Sequence, residues 1–159
     1  MSPSLKSESV KLLSALREQL TKAHGLTTFP SLTNIVYNIK GEERFSWSTE
    51  QHLKTPYVSA CVAPSATAPL SARLRVATSQ GRRPSEARKE AFRALAPALV
   101  TELKALAPSV ALDVDAEILR VEVSWEARVE GLEAELPQLA RASDLVSRFL
   151  LAVLARSGG

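Results

Sequence analysis

Residues 119–130 read Leu-Arg-Val-Glu-Val-Ser-Trp-Glu-Ala-Arg-Val-Glu, so that Leu119, Val121, Val123, Trp125, Ala127 and Val129 alternate without a break with Arg120, Glu122, Ser124, Glu126, Arg128 and Glu130. Successive side chains of a strand point to opposite faces, and this pattern therefore predicts one long strand with an apolar face buried and a charged face in water. Strands covered on both faces lose such alternation, which argues against a doubly covered parallel sheet and for an antiparallel sheet packed on one side. Gly131 is expected to end the strand.

Upstream, Val110, Leu112 and Val114 mark a short strand. Before it, Ser85 to Leu106 reads as a helix with Ala87, Ala91, Leu95, Leu99 and Leu103 on one face, and Pro97 predicts a kink or a split near Ala96. Leu70, Ala72, Leu74 and Val76 alternate with Ser71, Arg73 and Arg75 as another strand, and Tyr57 to Val62 forms one more. Ile35, Tyr37 and Ile39, then Phe45 and Trp47, flank Lys40-Gly41-Glu42-Glu43 as a β-hairpin. Ser48 to Gln51 has capping-box spacing and predicts a short helical turn before Pro56.

Nearest the start, Leu5, Leu12, Leu13, Leu16, Leu20 and Ala23 form the stripe of an amphipathic helix over Ser4 to His24, with Gly25 as its left-handed cap. His24 would then sit at the negative end of the helix dipole. Downstream, Pro137 fits the first turn of a last helix carrying Leu139, Ala142, Leu145, Val146, Phe149, Leu150, Val153 and Leu154. The order α-β-β-β-β-α-β-β-α predicts a single α+β domain over 1–159, a two-layer sandwich in which an antiparallel sheet of about six strands carries helices on one face.

The 159 residues are 45% hydrophobic, enough for one core without a disulfide or metal. The lone cysteine, Cys61, cannot close an internal disulfide, and the opening residues lack the charged-then-apolar order of a signal peptide. The apolar run Phe149 to Ala155 is far shorter than the roughly 20 residues that cross a bilayer. A cytoplasmic protein without membrane insertion is expected. A net charge of +3 permits an anionic partner without requiring one.

No phosphate loop, nucleophile elbow or paired Cys/His metal spacing occurs, so no catalytic residue, metal ligand or cofactor is expected. Cys61 and His52 allow a nucleophilic pair, but Cys61 within an apolar strand reads more simply as core. Asp113, Asp115 and Glu117 would share one side of an extended segment and offer oxygen ligands to a hard cation; the alternative is a polar turn between strands. Between Arg73 and Arg93 seven Lys/Arg stand against two Glu, and between Asp113 and Glu135 eight Asp/Glu against two Arg. Such poles either steer a partner or neutralise each other inside the domain.

The stretch Gly81-Arg-Arg-Pro-Ser-Glu-Ala-Arg-Lys-Glu-Ala-Phe-Arg-Ala-Leu95 resembles the loop and helix start with which double-stranded RNA-binding domains contact phosphates, although Pro84 and Ser85 stand where that family has paired lysines. The element order is similar to that of small dimeric chaperones of secretion substrates, a likeness of architecture and not of residues. The preferred expectation is a non-enzymatic protein-binding domain, adaptor or chaperone-like, that pairs as a homodimer. The nearly apolar Phe149-Leu-Leu-Ala-Val-Leu points to Leu150, Leu151, Val153 and Leu154 as its interface, with Phe149 in the core. Arg82, Arg83, Arg88 and Lys89 form a secondary charged contact. The alternative expectation is an RNA-binding accessory domain that uses the basic segment Arg82 to Arg93.

Overall fold

The computed structural model describes the backbone of residues 5–28, 35–37, 43–48, 57–65, 67–79, 84–106 and 110–158, and the side-chain surroundings of 7–16, 18–19, 60–65, 67–78, 84–106 and 110–158. In chain order the elements are α1 (Leu5–Thr28), β1 (Ile35–Tyr37), β2 (Glu43–Ser48), β3 (Tyr57–Pro64), β4 (Ser71–Ser79), α2 (Glu86–Lys104), β5 (Ala111–Asp115), β6 (Arg120–Arg128) and α3 (Leu136–Arg156). Short 3-10 turns occupy Ala116–Ile118 and Val129–Glu135. The class is α+β, three helices with an antiparallel sheet. Its strands run β1-β2-β3-β4-β6-β5, with every neighbouring pair antiparallel.

The alternation of β6 sets the layers. Val121, Val123 and Trp125 point inward opposite Thr78, Val76 and Leu74 of β4, while Glu122, Ser124 and Glu126 lie outward opposite Ala77, Arg75 and Arg73. Ala60 and Val62 of β3 continue the inward row. The helices close over it: α3 packs on β3 and β4, α2 on α3, and α1 on α3 and the β2–β3 side. Phe92 of α2 meets Phe149 of α3 edge to face, with ring centroids 5.1 Å apart. Trp125 Nε1 donates to Glu135 Oε1 at 2.8 Å, tying β6 to the turn that leads into α3. Each fully buried Leu or Val in this layer contributes about 1.5–3 kcal/mol from its removal from water.

Several local expectations are corrected. Helix α1 runs through Gly25 to Thr28, because a glycine inside a helix costs only about 1 kcal/mol and does not by itself stop one. Helix α2 is not split at Pro97; Arg93 and Pro97 both lie on its exposed side, where water reaches the carbonyl that proline cannot pair. Its buried set is Lys89, Ala91, Phe92, Ala96, Leu99 and Leu103, so Ala87 is exposed and Leu95 only half-buried. Strand β6 begins at Arg120 and ends at Arg128, and Gly131 falls inside the following 3-10 turn. The hairpin turn at 40–42 and the helical turn from Thr49 lie outside the described residues.

Candidate functional site

β6 is flanked by β4 on one side and by β5 on the other, and β5 is the last strand of the sheet. Its inward residues, Leu112 and Val114, face the same layer as Val123 and Val121. The helices do not close over them as they do over β4: Leu112 is half-buried and Val114 is 39% exposed. Outward, Ala111, Asp113 and Asp115 are all exposed. Three large hydrophobic residues are exposed among the described residues, and two of them, Val114 and Ile118 (38%), stand four positions apart here. The third, Leu70, is in the β3–β4 turn.

The end of this strand is held firmly. Asp115 Oδ1 accepts from the Glu117 N–H at 3.0 Å and so caps the turn Ala116–Ile118. Leu119 then takes the left-handed conformation, φ 50° and ψ 38°, with its side chain fully buried. A leucine there costs about 1–2 kcal/mol relative to the right-handed region, and burial of the same side chain offsets that.

Glu117 bridges the turn to α2 through both carboxylate oxygens, one 2.9 Å from Lys89 Nζ and the other 3.2 Å from Arg93 Nη2. Lys89 also meets Glu86 at 3.2 Å. The hydrogen bond to Glu117, followed by the one to Glu86, holds the Lys89 ammonium above its ordinary pKa. The hydrogen bond from Lys89, reinforced by its charge and that of Arg93, holds Glu117 below its own.

The expected site residues are placed as follows. Leu150 (1% exposed) and Val153 (0%) lie in the core of the single chain, because α3 packs both against the sheet and against the other helices. They cannot also cover a partner, and the expected helix interface reduces to the partly buried Leu151 and Leu154. Phe149 is buried. Lys89 is corrected too: at 7% exposure and paired with Glu117 and Glu86, it is a tie within the domain and not a free charged contact. Arg88 is half-buried on α2, while Arg82, Arg83 and His52 lie outside the described residues, as does the His24 side chain. The basic segment proposed for RNA therefore loses Lys89 to an internal role.

The acidic trio divides into separate structural tasks. Asp113 pairs with Arg120 at 3.2 Å, Asp115 caps the turn and Glu117 clamps α2. Among the described residues no group of three or more His, Cys, Asp or Glu is placed to hold a metal ion. The charge poles meet inside the domain, since Arg75 reaches Glu122 (3.5 Å) while Lys89 and Arg93 reach Glu117. On the outward face Arg73 Nη2 donates to Ser124 Oγ at 3.1 Å. Cys61 is buried on that same face, in register with Arg75 of β4 and Arg44 of β2. Among the described residues no helix is long and apolar enough to cross a membrane.

The open edge was not among the expected sites. The sequence does contain its signal, a strand of only five residues in which two carboxylates alternate with apolar side chains, since edge strands are often short and charged.

No protein-family model matches this sequence, and no curated protein matches it. A solved structure of an uncharacterized protein from Methanothermobacter thermautotrophicus is similar at 14% identity, with 86% of this chain and 96% of that one covered and a TM-score of 0.40.

Proposed function

We propose that this chain is a non-catalytic, cytoplasmic protein-binding domain, adaptor or chaperone-like in its mode of action, and that its binding surface is the open β5 edge. The observation that carries this reading is the exposure of β5: four of its five residues are exposed, and its half-covered apolar side is continued by Ile118. A sheet edge offers backbone N–H and C=O groups to an incoming strand, which gives affinity without any catalytic group. The ion-paired turn that ends β5, with the buried Leu119 after it, keeps that edge in a fixed shape, so little ordering cost falls on binding.

Pairing of two copies through Leu151 and Leu154 is the homodimeric form of the same proposal. Leu151→Glu tests it: light scattering should give a folded monomer where the natural chain gives a dimer, and an unchanged mass would exclude this contact.

The protein-binding reading is tested by purifying the tagged chain from its native cell in nuclease-treated and untreated halves. A defined protein partner that survives nuclease supports it. Partners that vanish with nuclease would transfer the function to the basic segment ahead of and within α2 and replace this reading with RNA binding.

A further inference from the structure

We infer that the β5 edge takes an extended peptide segment in which basic and apolar residues alternate, added as a further strand beside β5; this rests on the protein-binding reading and specifies its ligand. The two faces of β5 define the requirement. A strand laid beside it sets every second side chain next to Leu112 and Val114, which are half-covered and gain from an apolar neighbour. The intervening side chains fall beside Asp113 and Asp115 on the outward face.

At the β5 end of that face two carboxylates stand with one cation. Arg120 lies opposite Asp115 in register, but its guanidinium pairs with Asp113 at 3.2 Å and with Glu122 at 3.5 Å, Glu122 being reached by Arg75 at 3.5 Å as well; among the described residues Asp115 has a hydrogen bond from the Glu117 N–H and no ion pair. A lysine or arginine on the incoming strand supplies the missing charge, whereas an acidic one is repelled. The same charges select against a second copy of this chain. Five-residue antiparallel pairing of β5 with itself would set Asp113 directly against Asp113, and like charges opposite each other destabilise a strand pair.

The test uses a dye-labelled heptapeptide of alternating lysine and valine with blocked ends, read by fluorescence anisotropy on the full chain. Binding is expected, with at least a tenfold loss when glutamate replaces lysine. Two further peptides, one N-methylated at the lysines and one at the valines, separate strand addition from plain charge attraction. Only one alternate set of amides faces β5, so one methylated peptide should bind and the other should not. Asp113→Asn with Asp115→Asn, which keeps an acceptor at the cap, should weaken the lysine–valine peptide about tenfold.

Equal binding of both methylated peptides, equal binding of the glutamate peptide, or no binding at millimolar protein would each overturn the proposal. The peptide series on the natural chain decides the matter even if the double variant fails to fold. Should a nuclease-resistant partner from the cell be retained in full by a folded double variant, the protein-binding reading survives and this edge does not. Absence of any nuclease-resistant partner removes the protein-binding reading itself.

Discussion

β4 and β5 pair antiparallel with the same strand, β6, and present the same kind of inward pair, Leu74 and Val76 against Leu112 and Val114, yet their surroundings differ. Leu74 and Val76 are fully buried, whereas Leu112 is half-covered and Val114 is over a third exposed. β4 has a strand on each side and α3 across its face; β5 has one strand and only partial helix cover. Alternation thus specifies which face a residue takes, and the neighbours decide how deeply it is buried. The same difference makes β4 scaffold and leaves β5 with an edge to offer.

The largest effect should come from cutting the central strand. Leu74→Ala is expected to cost about 2–5 kcal/mol in denaturant unfolding, while Val114→Ala costs under about 1 kcal/mol because its site is already wet. Similar losses at the two sites would erase the distinction between centre and edge.

The second test addresses the turn that holds β5. Leu119→Ala should also be strongly destabilising, but Leu119→Gly should be about 1 kcal/mol less so, reversing the ordinary preference for alanine, because glycine is unstrained at positive φ. An Ala variant more stable than the Gly variant would show that the left-handed conformation at Leu119 is not what shapes this end of β5.

A somewhat smaller effect is expected on the packed side of β6, where Glu135→Ala strips the partner from the Trp125 indole and should cost about 1–3 kcal/mol, with Glu135→Gln retaining most of the bond. Equal losses in both variants would mean that packing, and not this hydrogen bond, is what Glu135 provides.

The clamp between β5 and α2 gives a pH signature. Glu117 is held below its ordinary value of 4.5, so its contribution is complete above that pH and is lost as pH falls through its lowered value. Lys89 is held above 10.5, so its contribution is complete below that pH and is lost as pH rises through the raised value. Stability of the natural chain should therefore fall more steeply below pH 4.5 than that of Glu117→Gln. Parallel acid limbs in urea titrations of the two proteins would show that the clamp does not contribute.

The smallest change concerns a polar group inside β4 itself. Thr78 Oγ1 is buried with no hydrogen-bond partner among the described residues, so Thr78→Val should be neutral or stabilising by up to about 1 kcal/mol. A clear loss would reveal a partner for this hydroxyl.

Legibility in the sequence followed the period of each element. The strict alternation of residues 120–128 gave both the strand and the antiparallel class, because one face buried and one face wet leaves an unambiguous record. On α2 the row of fours holds at Ala91, Leu99 and Leu103 and fails at Ala87 and Leu95, because a spacing of four throughout drifts by about 40° per step around a helix, whereas the buried row Lys89, Phe92, Ala96, Leu99 and Leu103, with Ala91 beside it, mixes threes and fours. The nearly apolar end of α3 reads as an interface because no local pattern says that α1, α2 and the sheet together supply its cover, and that cover places Leu150 and Val153 in the core. Lys89 differs for a related reason: a charge on a helix looks solvated until its partner, 28 positions away at Glu117, is brought beside it. The Ala111–Asp115 strand was legible; that it is an edge depends on strand order, which no local pattern encodes.

The most direct measurement is amide hydrogen exchange of the natural chain with and without the lysine–valine heptapeptide. Slow exchange is expected throughout β4 in both conditions, with fast exchange at alternate amides of residues 111–115 in the free chain and slowing of those amides alone when the peptide is added. β5 amides that are all protected in the free chain, or that do not respond to a peptide shown to bind, would contradict this expectation.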